Sequence, residues 1–150
     1  RSGLWNEYAR LIRDLRPRYV LIENVAAIAR RGLGTVLSNL AALRYDAEWE
    51  IYEASALGAP HVRERAWIVA YPEGKPGIYE SDAWKETQRL LNDSTAWAAG
   101  SWDEATPKLC RVDDGVPDRV VQTELLGNSV VPQIPELIAN RIRECLEVSA

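Results

Sequence analysis

One stretch constrains the fold more than any other: Arg18-Tyr19-Val20-Leu21-Ile22-Glu23-Asn24-Val25. Residues 19–22 form an unbroken apolar run. Such a run predicts a strand covered on both faces, as in a parallel sheet. It then stops abruptly in a carboxylate, an amide and a valine. In open α/β sheets, ligands and catalytic groups gather beyond the carboxyl ends of strands. Glu23 stands at that place, and the rest of the chain reads as its surroundings.

The flanking segments are periodic. Ser2 caps a predicted helix over 3–15, with Leu4, Tyr8, Leu11, Ile12 and Leu15 on one stripe, and Pro17 ends it. A second helix is expected over 33–43, with Leu33, Val36, Leu37, Leu40 and Leu43 facing inward. Helix, strand, helix, strand is a doubly wound pattern. The next strand, 47–54, alternates Trp49 and Ile51 inward with Glu48 and Glu50 outward, which suggests a sheet edge or an antiparallel ribbon. A further strand covers 66–71 and closes at Pro72. Only about ten residues join these two strands, too few for a helical crossover, so they are expected to pair antiparallel.

From residue 73 the periodicity weakens. Gly74, Pro76, Gly77, Gly100 and Pro107 punctuate a loop-rich region that holds Trp84, Trp97 and Trp102, with a short helix expected over 83–91. Regular patterning returns in a last helix over 134–146. Pro135 is tolerated in its first turn, and Ile134, Leu137, Ile138, Ile142 and Cys145 form its buried stripe.

Composition removes several classes of function. The 150 residues, 47% hydrophobic and 27% charged, are ordinary for one globular domain. No apolar run approaches the ~20 residues of a membrane-spanning helix, and no basic stub precedes an apolar leader. Cys110 and Cys145 form no metal spacing, so no metal is expected and a reduced, cytoplasmic setting is the default. A net charge of −4 argues against a polycationic nucleic-acid binder. It leaves room for a local basic face, because arginine far outnumbers lysine and suits planar, bidentate contacts. The opening at Arg1 and the immediate amphipathic helix suggest a piece cut from, or paired with, something larger.

Individual polar residues are ambiguous. A carboxylate ending a buried strand is costly unless paired, protonated or functional; for Glu23 alone, a capping role at the strand-to-loop switch is the commoner reading. Arg63 and Arg65 share a side-chain direction on an extended segment. They suit a clamp on a carboxylate or planar polar ligand, or equally a solvated pair flanking Glu64. His61 is in phase with both, and a lone histidine is more often a structural hydrogen-bonder. Gly127-Asn128-Ser129 offers a permissive backbone for close approach of a small ligand, or an ordinary helix start. The three tryptophans suit base stacking or a small satellite core.

Their order along the chain is specific where the single residues are not. Arg16-Pro17-Arg18-Tyr19-Val20-Leu21-Ile22-Glu23-Asn24-Val25 resembles the Glu-Asn-Val motif of the DNA (cytosine-5)-methyltransferase family. His61-Val62-Arg63-Glu64-Arg65-Ala66-Trp67-Ile68-Val69-Ala70 resembles its Gln-x-Arg-x-Arg motif, with His61 in the Gln position. Leu126-Gly127-Asn128-Ser129-Val130-Val131-Pro132 resembles the family's last motif. Residues 109–120 resemble small members encoded by phages and other mobile elements. The family's glycine-rich cofactor loop and Pro-Cys nucleophile have no counterpart here.

The resemblance implies the C-terminal part of a Rossmann-like, S-adenosylmethionine-dependent α/β methyltransferase sheet with a short loop-rich insertion. Residues 1–72 then belong to the catalytic domain, 73–108 take the place of a target-recognition region, and 109–150 return to the catalytic domain. It further implies that Glu23 contacts N3 of a flipped cytosine and favours its protonation, a role that needs a carboxylate tuned by its setting. Arg65 would bind the cytosine O2 and orient Glu23, and Arg63 would support the pocket or the DNA backbone. Asn24, Val25 and His61 would support the base pocket, and Asn128, Ser129 and Val130 would line the cofactor side. The implied partners are double-stranded DNA, in a bacterial or phage restriction–modification setting, and an N-terminal half carrying Pro-Cys, without which the chain is expected to be inactive. Self-association through the unpartnered strand is expected as well. The alternatives are a non-catalytic DNA- or partner-binding homologue and an unrelated α/β nucleotide-binding domain.

Overall fold

The computed structural model describes residues 3–57, 63–75, 77–78 and 130–148. In chain order the elements are α1 (Gly3–Leu15), β1 (Val20–Val25), α2 (Ile28–Arg31), α3 (Leu33–Ala42), β2 (Tyr45–Glu53), a 3₁₀ turn (Ala54–Leu57), β3 (Glu64–Pro72) and α4 (Gln133–Val148). The expected insertion falls almost wholly outside the described residues, together with its short helix and its three tryptophans.

The strands form one sheet in the order β1-β3-β2. β3 runs antiparallel to both neighbours, from Val20 opposite Ala70 to Val25 opposite Arg65 on one side, and from Tyr45 opposite Pro72 to Glu53 opposite Glu64 on the other. The antiparallel pairing expected of the second and third strands is present. Among the described residues the parallel pairing expected of the first is not. β1 and β2 do point the same way, joined through α3, but β3 lies between them in reverse. An apolar run reports that both faces of a strand are covered; it carries no information about the direction of its neighbour. The innermost strand is accordingly β3, in which Ala66, Ile68, Val69 and Ala70 are wholly buried.

Alternation along the strands sends successive side chains to opposite faces. Val20, Ile22, Ile68, Ala70 and Tyr45 meet Ile12 of α1 and Leu33, Val36 and Leu40 of α3, with Ile28 and Ala29 of α2 packed alongside. Trp67, Val69, Tyr71, Tyr19 and Leu21 meet Ile134, Ile138 and Ile78 on the opposite face. α4 buries the stripe its periodicity predicts, with Leu137, Ile142 and Cys145 flanking the two buried isoleucines. It also buries Arg141, whose guanidinium pairs with Glu144 one turn along.

Two amphipathic expectations turn out differently. In α1 only Ile12 is buried, and Leu4, Leu11 and Leu15 stand exposed. The helix is held instead through Trp5 and Tyr8. The Trp5 indole donates to Asn39 Oδ1 at 2.8 Å, and the Tyr8 hydroxyl donates to the Leu21 carbonyl at 2.9 Å. These tethers rotate the leucine stripe away from the core. In β2, Trp49 is 41% exposed rather than inward, because the helical layer on its face reaches only as far as Ala47. Glu48 is half-buried on the other face and accepts a hydrogen bond from the Ile78 amide at 2.8 Å. Gly77 permits that approach, since a Cβ there would collide with the Glu48 carboxylate.

One turn is bought with strain. Arg16 ends α1 at φ 48°, a left-handed conformation that costs a non-glycine residue roughly 1–2 kcal/mol. Its side chain offsets this by donating to the Leu43 carbonyl at 2.6 Å, at the end of α3, and lying 4.9 Å from the Tyr45 ring centre. Tyr45 donates in turn to the Pro17 carbonyl at 2.6 Å. The link between α1 and β1 is thereby fixed to the start of β2.

Candidate active site

Antiparallel pairing of β1 with β3 brings the end of one apolar strand beside the start of the other. Glu23 lies opposite Trp67 and Val25 opposite Arg65, so Glu23 and Arg65 are diagonal neighbours on one face. Their side chains meet, with Arg65 Nε 2.9 Å from Glu23 Oε1. Arg65 is 16% exposed and Glu23 28%, which leaves the pair sheltered yet reachable from outside. A second donor of the same guanidinium, Nη1, binds the Glu64 carbonyl at 2.8 Å and restricts its swing.

Arg63 is in phase with Arg65 and belongs to the same cluster. Burial pushes its pKa down, the like charge of Arg65 adds to that fall, and the Glu23 carboxylate opposes it. Arg63 thus feels the charges of both members of the Glu23–Arg65 pair at the carboxyl end of β1. This grouping can hold a planar polar ligand with donors from the arginines and an acceptor from Glu23.

The turn that presents Glu23 is set locally. Asn24 Oδ1 accepts a hydrogen bond from the Val25 amide at 2.9 Å, a local contact at the last two residues of β1, ahead of the turn at residues 26 and 27. Both residues are exposed. A cleft of about 880 Å³ opens at the same end of β1, between α1 and α2, with Tyr8, Leu11, Glu23, Asn24 and Arg31 among its lining.

Two residues of this neighbourhood were overlooked in the sequence. Trp67 lies opposite Glu23, and its buried indole N–H has no hydrogen-bond acceptor among the described residues. Tyr52 lies opposite Arg65 on the β2 side. Trp67 reads as plain strand core from its apolar neighbours, although it is in phase with Arg63 and Arg65. Tyr52 is legible only once the β2–β3 register is known.

Of the other expected site residues, His61, Asn128 and Ser129 lie outside the described residues. Val130 is described, 43% exposed just before α4, and the described contacts do not join it to the Glu23 cluster. Val130 alone does not make an S-adenosylmethionine pocket. Among the described residues there is no group of histidine, cysteine, aspartate or glutamate that would hold a metal ion. No described helix is long and apolar enough to cross a membrane.

The family model for C-5 cytosine-specific DNA methylases matches residues 1–105. The type II methyltransferase M.BanI of Aneurinibacillus aneurinilyticus is 31% identical over 107 residues, which cover 63% of this chain and 25% of the relative. M1.ScrFI of Lactococcus lactis subsp. cremoris is 35% identical over 75 residues, 47% of this chain and 19% of the relative. The type II methylase M.HgiDII of Herpetosiphon aurantiacus is 26% identical over 146 residues, covering 91% of the chain and 41% of the relative. The chain thus spans between about a fifth and two fifths of the length of these relatives. With more than two thirds of its residues under the family model, and Glu23, Arg63 and Arg65 inside that match, the chain belongs to the C-5 cytosine-specific DNA methylase family.

Proposed function

We propose that this chain carries the base-activating side of a cytosine-5 DNA methyl transfer. The observation that supports it is the Glu23–Arg65 ion pair, sheltered at the carboxyl end of β1 with Arg63 beside it. Cytosine C5 is a weak nucleophile. Addition of a cysteine thiolate to C6 makes C5 enamine-like, and loss of the C5 proton with the thiolate after methylation restores the ring. In this reading Glu23 engages N3 of the flipped base and favours its protonation as the thiolate adds. Arg65 donates to the cytosine O2 and holds Glu23 in position, while Arg63 supplies a second positive charge at the pocket wall. Asn24 and Val25 keep the turn that aims Glu23, with His61 beside the base. S-adenosylmethionine supplies an electrophilic methyl group, and Asn128, Ser129 and Val130 are the residues assigned to its side.

The two cysteines follow Leu109 and Glu144, so neither stands in a Pro-Cys pair. The nucleophile in this proposal comes from residues outside these 150, on the same polypeptide or on another. The outer edge of β1 is the surface proposed to meet that segment, or a second copy of the chain when the segment is absent. The same proposal includes a catalytic region over 1–72, a target-recognition region over 73–108 and a return segment over 109–150. A second reading, a non-catalytic DNA-binding homologue, is favoured by the missing Pro-Cys alone.

The test is methyl transfer to cytosine-containing duplex DNA, with the chain combined with a Pro-Cys-bearing segment. Glu23→Ala is expected to lower the rate ~10²–10⁴-fold, the range for removal of an acid–base group, while circular dichroism stays that of the parent. An unchanged rate rejects the role of Glu23. Absence of transfer by the parent combination, with DNA binding retained, favours the second reading.

A further inference from the structure

We propose that Arg30 and Arg31 form a phosphate-binding patch that holds the DNA backbone beside the Glu23 cleft. The inference rests on the DNA methyl-transfer reading and adds residues outside the motifs that led to it.

The first argument is charge pairing. Most described arginines are engaged; Arg18 and Arg143 are exposed without a salt bridge among the described residues, but neither has a second arginine beside it in sequence. Arg10 pairs with Glu7 and Asp14, Arg13 with Asp14, Arg44 with Glu73, Arg65 with Glu23 and Arg141 with Glu144. Arg16 caps Leu43. Arg30 and Arg31 are both exposed, adjacent in sequence, and have no carboxylate partner among the described residues. In a chain of net charge −4, an uncompensated cationic pair is a local departure from the overall field.

The second argument is position. The pair ends α2, a helix of four residues that begins directly after the two-residue turn following β1. Arg31 lines the same cleft as Glu23 and Asn24. Glu23, proposed to hold a base, and an exposed arginine thus line one cleft at the end of β1. A nucleotide carries a base at one end and an anionic phosphodiester at the other, so a base held at Glu23 brings its phosphate into the neighbourhood of Arg31. Guanidinium forks bind phosphate oxygens in two parallel hydrogen bonds. A helix of this length has too small a dipole to account for two arginines at its end.

Phosphate-binding side chains position the duplex without reading its sequence, and their signature is salt dependence. The experiment measures binding of the full chain to a fluorescein-labelled cytosine-containing duplex by anisotropy, across a sodium chloride series. The double variant Arg30→Ala/Arg31→Ala is expected to flatten the slope of log K against log salt by about 1–2, near 0.9 for each phosphate that is no longer neutralised. Thermal melting is expected to match the parent, since neither side chain is buried. The control Arg10→Ala/Arg13→Ala removes the same charge from a paired site on α1, and its slope is expected to stay close to the parent's. An unchanged slope in the first variant overturns the patch, and so does an equal flattening in the control. In either case DNA binding by the parent leaves the methyl-transfer reading intact. No binding by the parent at any salt overturns both.

Discussion

The two faces of the sheet are built from the same three strands and serve different ends. On the face of α1 to α3, the strands contribute Val20, Ile22, Ile68 and Ala70, and the core is apolar. On the face of α4, the same strands contribute Leu21, Trp67 and Val69, and then, one step along each strand, Glu23 and Arg65. The difference is one of phase. Because side chains alternate, a shift of a single residue would bury Glu23 under α2 and α3 and expose Ile22. Register therefore separates what stabilises this molecule from what equips it for chemistry.

The sharpest way to break this comparison is to remove one buried isoleucine from each face. Ile68 and Ile138 are both fully buried, one on each side. Ile68→Ala and Ile138→Ala are each expected to cost ~2–5 kcal/mol in urea denaturation. A cost below ~1 kcal/mol for Ile138→Ala would show that α4 is not an integral layer of this fold.

A smaller effect on stability separates structure from function at the site. Arg65→Ala is expected to lower stability by about 1–2 kcal/mol, between the values for exposed and buried ion pairs. In the methyl-transfer assay its effect should be larger than its effect on folding. Arg65→Lys keeps the charge but loses the planar fork, so it should recover stability and leave the activity impaired. Equal recovery of both by lysine would reduce Arg65 to a simple counter-charge.

The smallest expected effect concerns tyrosines on both faces. Burial raises the pKa of Tyr8, Tyr45 and Tyr19 above the ordinary value of 10.0. A phenol whose pKa is higher folded than unfolded adds stability that is complete below pH ~10 and is lost as pH rises through the folded value. Melting followed at increasing alkalinity should therefore stay level up to about pH 10 and fall beyond it. A decline that starts near neutral pH would assign the loss to other groups.

Much of this protein is determined by its sequence alone. Apart from α2, which lies where a turn is expected, the described helix and strand positions follow from periodicity, the end of α1 follows from Pro17, and the antiparallel β2–β3 pair follows from a connection too short to cross over. Glu23, Arg63 and Arg65 are legible because they sit in motifs whose order resembles a family. What periodicity cannot carry is the choice of neighbour. The apolar run of β1 is compatible with a parallel or an antiparallel partner, and only tertiary structure puts β3 beside it. The same holds for the face of α1 that meets the core, where hydrogen bonds from Trp5 and Tyr8 to distant residues outweigh the leucine stripe. Glu23 is a carboxylate at a strand end in the sequence; its 2.9 Å approach to Arg65 exists because antiparallel register makes residues far apart in the chain diagonal neighbours on one face. Local residue patterns decide elements, whereas long-range pairing decides which elements share a face, and the candidate site depends on the second.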